Sequence, residues 1–333
     1  MAPELTTVSE STAVVFDGTE VTRYDDLASD AAFDFDGVVG RTLPHPGGEL
    51  LCRFATVNDV HFGETECGVI EGMDLGPILS VDEGETPYPE TMNTSAVAEI
   101  AAIDPAAVVA KGDLTTHGSI AEYDQFMACY GHAFGDRLVH VRGNHDGYFG
   151  ETFAADAPIE VVLPGVTLAV LDTVIPRHST GQVSLAQLEW LDELAARTDQ
   201  TVLVFGHHHV WSPASKTREP TYFGISPDDS EQLVDVFTRH ANLRGYFAGH
   251  THRNRVRLIP STDQVPWVEV SATKDFPGAW AEYRVFEGGI LQVMHRIASS
   301  EALEWTERTR AMFGGLYPQY SFGEMKDRCF VVC

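Results

Sequence analysis

Short apolar runs recur along the chain from Leu50 onward, and most of them end at a glycine or a polar cluster. Apolar runs of about four to eight residues bounded by turn-forming residues are typical of buried β-strands. The pattern therefore predicts strands at Arg53–Val57, Ala106–Ala110, Leu138–Val141, Val161–Asp172 (two strands around Pro164-Gly165), Thr201–Phe205 and Leu243–Phe247.

Between these strands lie stretches whose apolar residues are three and four positions apart, as on one face of a helix. They predict helices from Thr94 or Ser95 to Ile103, Ser119–Ala133, from Ser184 along the stripe Leu185, Leu188, Leu191 and Leu194, Asp228–His240, and Ser300–Met312. The region 255–297 alternates like an antiparallel meander. Strands alternating with helices predict an α/β fold.

The ends of the chain differ from this core. Residues 1–49 are predicted to be an N-terminal extension built on a β-hairpin that turns at Asp17-Gly18. The core domain should span residues 50–298, and residues 62–92, which are rich in Gly, Glu, Pro and Asp, form a loop insertion. Loops of this length are usually functional lids or disordered. Residues 299–333 are a C-terminal helix and tail.

Five of the predicted strands end in side chains that bind metals well. These are Asp59 and His61, Asp113, Asn144, His207, and His250 with His252. Strand ends at one edge of an α/β sheet converge on a single site, so these donors should lie together. They suffice for two metal ions that share one carboxylate, and the mixture of His and carboxylate suits zinc, iron, manganese or cobalt.

Each of these motifs has an ordinary explanation when it is taken alone. An Asp-x-His arises by chance in a chain this rich in both residues, Gly-Asp is common at turns, and Asn-His-Asp is often a surface turn. Their order, each after an apolar strand, favours a common site. Within Gly143-Asn144-His145-Asp146, His145 is the side chain that titrates near neutrality, and Asp146 is expected to fix its tautomer.

In this order, the five motifs resemble the signature of the calcineurin-like metallophosphoesterase superfamily from about Leu50 to Ile297. The run Gly112-Asp113-Leu114-Thr115, with Glu122-Tyr123 and Phe126 downstream, is most similar to class III cyclic nucleotide phosphodiesterases and their glycerophosphodiesterase relatives. Purple acid phosphatases are less similar, because they carry a tyrosine where this chain has Thr116.

The resemblance implies a four-layer αββα sandwich, in which two mixed β-sheets pack face to face and helices flank them. It also implies two metal ions, manganese, iron or zinc. Asp59, His61 and His252 would hold one metal, while Asn144, His207 and His250 would hold the other. Asp113 would bridge the two metals. Three consecutive histidines follow Gly206, so His208 is an alternative to His207, and His209 is expected to support the site.

The implied activity is hydrolysis of a small phosphodiester, a 3',5'-cyclic nucleotide or a glycerophosphodiester, by hydroxide held between the metals. His145, oriented by Asp146, would protonate the leaving group, so both are candidate catalytic residues. Asn58, His117 and the loop insertion are candidates for contacting substrate. A phosphomonoesterase or broad-specificity phosphoesterase, and a metal-binding scaffold without turnover, are the alternatives.

The net charge restricts the partners. With 49 acidic and 22 basic residues the formal charge is −27, which disfavours binding to nucleic acid polymers and to anionic membranes. Five cysteines without paired spacing suggest neither a disulfide framework nor a structural zinc site. The sequence shows no signal peptide and no long apolar segment, so we expect a cytoplasmic enzyme with a small phosphoester substrate, and a homodimer is left open.

Overall fold

The computed structural model describes residues 3–69, 72 and 75–333. Residues 1 and 2 of the predicted extension, and 70, 71, 73 and 74 of the predicted insertion, lie outside the described residues. The strands are β1 Glu4–Val8, β2 Ala13–Asp17, β3 Glu20–Tyr24, β4 Ala32–Phe35, β5 Val38–Arg41, β6 Leu50–Val57, β7 Glu66–Cys67, β8 Leu79–Ser80, β9 Val108–Lys111, β10 Leu138–Val141, β11 Ile159–Leu163, β12 Val166–Val170, β13 Thr201–Phe205, β14 Leu243–Ala248, β15 Arg255–Leu258, β16 Pro266–Glu269, β17 Ala279–Phe286, β18 Gly289–Arg296 and β19 Cys329–Val331. The helices are α1 Tyr88–Ala102, α2 Ile120–Phe126, α3 His132–Phe134, α4 Asn144–Gly147, α5 Leu185–Arg197, α6 Pro227–Arg239, α7 Ser300–Thr309, α8 Tyr317–Ser321 and α9 Met325–Arg328.

Two six-stranded mixed sheets organise the molecule. The first has the order β10-β9-β6-β17-β18-β19, in which β10, β9 and β6 are parallel and the other pairs are antiparallel. The second has the order β11-β12-β13-β14-β16-β15, in which β12, β13, β14 and β16 are parallel. The predicted strands that end in candidate ligands all belong to these parallel sets.

The apolar side chains lie in three layers that confirm the four-layer αββα sandwich. Between the sheets, the ring of Phe54 stacks on Tyr283 at 4.5 Å between centroids and meets Phe205 edge-on. The outer face of the first sheet packs against α1, α2 and α7, and that of the second packs against α5 and α6. Each sheet is therefore buried on both faces, which explains why its strands are near-continuous apolar runs.

Helix α1 begins at Tyr88, so the predicted start at Thr94 or Ser95 is wrong. Pro89 occupies the first turn, where a missing N–H costs no hydrogen bond, and Tyr88 is buried, so the core face begins six residues earlier. The hydroxyl of Ser95 does not cap the helix and donates instead to the carbonyl of Thr91 at 2.9 Å. Ser119 does cap α2 as predicted, in a capping box with Glu122.

The predicted meander over residues 255–297 is divided between the two sheets. Strands β15 and β16 complete the second sheet, whereas β17 and β18 form the middle of the first. Residues 270–278 cross between them at the edge where the parallel strands end. This crossing carries Lys274 and Asp275 to the site described below.

Both ends of the chain pack onto the first sheet. In the N-terminal part, β1, β2 and β3 form a three-stranded sheet and β4 pairs with β5, which is more structure than the hairpin that the sequence predicts. The hairpin turns at Gly18-Thr19, since Asp17 pairs with Glu20. The C-terminal segment, predicted as a helix and tail, adds β19 to the edge of the sheet beside β18. No helix among the described residues is long and apolar enough to cross a membrane.

Candidate metal centre

The residues that follow five parallel strands meet at one edge of the sandwich. Each strand delivers its polar side chains within four residues of its end: Asp59 and His61 after β6, Asp113 after β9, Asn144 after β10, His207 after β13, and His250 and His252 after β14. Six of these seven side chains are buried, and that of His252 is partly exposed. The convergence that the strand ends predict is therefore present.

The backbone at this edge is held in an unusual conformation. Asp59, His61, Asp113, His250 and His252 all have left-handed backbones, with φ between 46° and 68°. Such a conformation costs about 1–3 kcal/mol at a non-glycine residue and persists only where the surroundings enforce it. Five instances at one site show that the fold holds these side chains in place at the expense of local strain.

Two glycines allow the strand ends to approach each other. A Cβ at Gly143 would lie 2.2 Å from Oδ1 of Asp113, and a Cβ at Gly112 would lie 2.7 Å from Nδ1 of His207. Both distances are far below van der Waals contact. The glycines of the Gly-Asp and Gly-Asn-His-Asp motifs are therefore required for the loops to pack, and Gly112 also has a φ of 90°.

Asp113 lies at the centre of the site. Its Oδ2 is 3.5 Å from Nε2 of His61 and 3.3 Å from Nε2 of His207, while its Oδ1 accepts a hydrogen bond from the backbone N–H of His145 at 2.9 Å. Burial would raise the pKa of Asp113, but His207 and His145 hold it well below the usual value. Asp113 is therefore an anion between two histidines.

Potential ligand atoms form overlapping clusters around this carboxylate. Within each cluster these atoms lie within 4.8 Å of one another, and the clusters are Asp59-His61-His252, Asp59-Asp113-His207, His61-Asp113-His145 and His207-His208-His250. Asp59 itself is 3.4 Å from His252, between its Oδ1 and the Nε2 of the ring. The predicted ligands are thus brought together, with His208 as an additional neighbour.

Several buried nitrogens in these clusters have no hydrogen-bond partner. They are Nδ1 and Nε2 of His61, Nε2 of His208 and Nε2 of His250. Burial, followed by a neighbouring histidine, lowers the pKa of His61 and of His250 well below the usual value, so both rings are neutral. Buried polar atoms are normally paired, and neutral imidazoles with free lone pairs are the form that binds metals. The side chains therefore fit a pair of metal ions.

His207 and Asn144 are fixed by hydrogen bonds on their far sides. Nδ1 of His207 donates to the carbonyl of Lys111 at 2.9 Å, which leaves Nε2 facing Asp113. Nδ2 of Asn144 donates to the hydroxyl of Tyr148 at 2.7 Å, which leaves its Oδ1 3.0 Å from Nε2 of His207. Although burial alone would lower it, Asp113 raises the pKa of His207 to about 9. A proton and a metal would therefore compete for this nitrogen.

The expected pairing of His145 with Asp146 is wrong. Nδ1 of His145 donates to the carbonyl of Thr116 at 2.8 Å. The carboxylate of Asp146 instead accepts hydrogen bonds from the backbone of Gly143, Leu114 and Thr115, and from the hydroxyl of Thr115. These donors come from the loop after β9 and the loop after β10, so Asp146 ties the Asp113 loop to the Asn144 loop.

The two candidate substrate contacts are not placed to serve that role. Asn58 is buried, and its Nδ2 donates to the carboxylate of Asp59 and to the carbonyls of Val270 and Ser271 at 3.1 Å each, so it supports Asp59. His117 is 67% exposed and lies 2.7 Å from Oε1 of Glu122, between its Nδ1 and that oxygen. It is not among the described residues that line the cavity of about 760 Å³ into which the site opens.

Comparison with known proteins agrees with this geometry. A family model described as calcineurin-like phosphoesterase matches residues 52–254. The chain belongs to this family. It is 30% identical over 159 residues to a cAMP/cGMP dual specificity phosphodiesterase of Mycobacterium tuberculosis (44% of this chain, 49% of the relative). It is also 30% identical over 145 residues to the serine/threonine-protein phosphatase CPPED1 of Homo sapiens (38% and 45%). The chain spans about half the length of the curated relatives it matches.

Solved structures of metallophosphatases share the fold. A dimetal phosphatase from Danio rerio superimposes with a TM-score of 0.56 at 17% identity, covering 75% of this chain and 98% of that one. A purple acid phosphatase from yellow lupin gives 0.50 at 13% identity, covering 84% and 60%. At these identities the likeness concerns the fold alone.

The sequence analysis missed a buried ion-pair network, of which Lys274 and Asp275 lie beyond the segment matched by the family model and Glu64 lies within it. Nζ of Lys274 is 2.6 Å from Oε1 of Glu64 and 2.8 Å from Oδ2 of Asp275. Oε2 of Glu64 lies 3.2 Å from Nδ1 of His61, and Oδ2 of Asp275 lies 3.8 Å from Nδ1 of His252. Lys274 therefore joins two carboxylates, and each of these lies beside a histidine of the metal centre. Nδ1 of His61 has no hydrogen-bond partner and 3.8 Å exceeds hydrogen-bond distance, so the two carboxylates act on these rings as neighbouring negative charges.

Replacing Lys274 with methionine should destabilise the protein, because Glu64 and Asp275 would be left as buried anions without a cation. Breaking a buried pair in this way costs about 3–5 kcal/mol of unfolding free energy. The matched control is Lys326→Met, which removes an exposed lysine paired with Glu324 and should leave stability nearly unchanged. Urea unfolding at pH 7 measures both, and equal midpoints for wild type and Lys274→Met would contradict the network.

The loss of unfolding free energy in Lys274→Met should depend on pH. Burial would raise the pKa of Asp275, but Lys274 and His252 hold it below the usual range. A carboxylate whose pKa is lower in the folded than in the unfolded state, where it is about 3.9, stabilises the folded protein above about pH 3.9. This stabilisation is lost as the pH falls through the folded-state pKa. The deficit of Lys274→Met should therefore shrink below about pH 4.

Proposed function

We propose that this protein is a binuclear metal-dependent phosphodiesterase that hydrolyses small phosphodiesters of the 3',5'-cyclic nucleotide or glycerophosphodiester type. The observation that carries the proposal is the position of Asp113, whose one carboxylate oxygen faces His61 on one side and His207 on the other. A carboxylate so placed can serve two metals at once. Relatives named as cyclic nucleotide phosphodiesterases support the substrate class.

The proposed ligand sets are those that the resemblance to the metallophosphoesterases implies, and the cluster of Asp59, His61 and His252 supports the first of them. Asp59, His61 and His252 would hold one metal, Asn144, His207 and His250 the other, and Asp113 both. His207 is preferred to His208, because its Nε2 lies 3.3 Å from Oδ2 of Asp113 and 3.0 Å from Oδ1 of Asn144. Nitrogen and oxygen donors without thiolates suit manganese, iron or zinc.

When bound, the metals would lower the pKa of a water molecule and neutralise charge on the phosphoryl oxygens. The chain itself would supply the proton for the leaving group. His145 lines the cavity beside the clusters, and its Nδ1–H is committed to the carbonyl of Thr116, so Nε2 is the nitrogen left to act. That carbonyl would stabilise the protonated ring and hold it in place while Nε2 gives up its proton.

Charge around the cavity favours a diester over a monoester. Among the described residues that line it, Lys274 is the one lysine or arginine, and Glu64 and Asp275 already neutralise it. A monoester carries an extra negative charge, and no lysine or arginine among the described lining residues is free of a carboxylate partner to meet it. The phosphatase CPPED1 is nevertheless a relative at the same identity, so phosphomonoester hydrolysis is the second candidate.

Hydrolysis of bis(p-nitrophenyl) phosphate and of p-nitrophenyl phosphate, both with added manganese, separates these functions. We expect kcat/KM for the diester to exceed that for the monoester by about tenfold or more, which is about 1.4 kcal/mol of transition-state preference. A larger kcat/KM for the monoester would indicate a phosphomonoesterase. Binding of two manganese ions without hydrolysis of either substrate would indicate a non-catalytic scaffold.

Replacing His145 with alanine should separate chemistry from metal binding. His145 supplies a proton and a backbone N–H, and the latter survives the substitution, so metal content should be retained. With an alkoxide leaving group such as a ribose 3'-oxygen, the rate should fall about 10²- to 10⁴-fold. With p-nitrophenolate, which departs without a proton, the loss should be much smaller. An equal loss on both substrates would rule out the role of general acid.

A further inference from the structure

The metal centre opens into a cavity of about 760 Å³. Its outer wall comes from segments that lie away from the parallel strand ends, namely residues 66–69 and 75 of the loop insertion, Phe223, and residues 312–320 near the C-terminus. The first and last of these touch each other, since the backbone N–H of Gly314 donates to the carbonyl of Gly76 at 2.8 Å. The C-terminal part lies beyond the matched family segment, which ends at residue 254.

This wall exposes large apolar side chains. Leu75 is 46% exposed, Phe223 53%, Leu316 58% and Tyr320 45%, and all four line the same cavity. Single exposed apolar residues are common on protein surfaces, whereas several around one cavity mark a ligand-binding surface. The cavity volume lies within the range that holds ligands of nucleotide size, about 300–1,000 Å³.

The aromatic rings are fixed by contacts with the metal centre and its supports. Phe223 stacks on the imidazole of His250, with 3.9 Å between centroids and 30° between planes. The hydroxyl of Tyr317 donates to Asp275 at 2.6 Å, and the guanidinium of Arg253 lies 5.3 Å from the ring of Tyr320. Three aromatic side chains of the wall are thus in contact with residues at or beside the metal centre.

The charges that line the cavity oppose a second anionic group on the ligand. Glu64, Glu66 and Asp275 line the cavity, and among the described lining residues the one lysine is already paired with two of them. A ligand whose remote part is uncharged and flat fits these surroundings better than one with a second phosphate.

We propose that Phe223, Leu316 and Tyr320 form a subsite for a flat aromatic group of the substrate, such as a nucleobase, while the phosphoryl group lies at the metal centre. This inference rests on the proposed function for the position of the phosphoryl group. Among the small phosphodiesters considered above, it selects those that carry an aromatic ring, and it disfavours glycerophosphodiesters. A base can stack on an aromatic side chain without hydrogen bonds to particular atoms of the base.

Three phosphinates test the subsite without turnover, because each is a monoanion like a diester and has no P–O–C bond to hydrolyse. They are methyl(2-phenylethyl)phosphinate, methyl(2-cyclohexylethyl)phosphinate and dimethylphosphinate, and their dissociation constants from the manganese-loaded protein are measured by titration calorimetry. We expect the phenylethyl compound to bind at least about fivefold more tightly than either of the others.

Two variants test whether side chains of the wall cause the preference for the phenylethyl compound. Phe223→Ala and Leu316→Ala should each reduce the ratio of the phenylethyl to the dimethyl association constant by about threefold or more. The matched controls are Phe149→Ala and Leu258→Ala, since Phe149 is 70% exposed, Leu258 is 53% exposed, and neither lines the cavity. They should leave the ratio unchanged.

Equal binding of the phenylethyl and dimethyl compounds would overturn the subsite, as would a preference that survives both wall variants. Equal binding of the cyclohexylethyl and phenylethyl compounds would show that the wall accepts any apolar group and would overturn its aromatic character. These results do not depend on catalysis. The phosphinates can therefore show that there is no subsite even where phosphodiester hydrolysis is observed. They can equally show the subsite where no hydrolysis is observed.

Discussion

The carboxylate of Asp113 is the group on which the arrangement of the site depends. It is buried, yet it remains an anion because His207 and His145 hold its pKa down. A buried anion is expensive unless it is matched by cations and hydrogen-bond donors. In this protein the backbone of His145 and the two flanking histidines meet that need in part, and the free nitrogens around it fit metal ions for the rest. Positions 112 and 143 require glycine, because the Cβ of any other residue would collide with this carboxylate or with His207.

The fold supplies the rigidity that such a cluster needs. Parallel strands in both sheets end at one edge, and the apolar layer between the sheets fixes their relative position through Phe54, Phe205 and Tyr283. Asp146 then fastens the loop after β9 to the loop after β10. Lys274 does the same at the other side of the site, where it joins Glu64 to Asp275. Left-handed backbones at five of the proposed ligands persist because these attachments leave the loops no alternative.

The pattern of apolar strands and polar strand ends predicts an α/β fold and the convergence of the seven proposed ligands, because each ligand follows an apolar strand within a few residues. The four-layer sandwich is implied by the resemblance to the metallophosphoesterases. The sequence does not predict the partner of His145, since a backbone carbonyl such as that of Thr116 has no signature in the sequence. Nor does it predict the network of Glu64 and Lys274, which are 210 positions apart and meet only through tertiary folding. For the same reason, the contribution of residues 312–320 to the cavity could not be foreseen, because the sequence of this segment carries no motif.

The central claim is that Asp113 is shared by two metal ions. Anomalous diffraction from crystals of the manganese-loaded protein tests it most directly, since it locates the ions independently of any assumption about their ligands. We expect two anomalous peaks, each about 2 Å from an oxygen of Asp113, with Asp59, His61 and His252 around one and Asn144, His207 and His250 around the other. A single peak, or two peaks of which either lies more than about 5 Å from the Asp113 carboxylate, would contradict it.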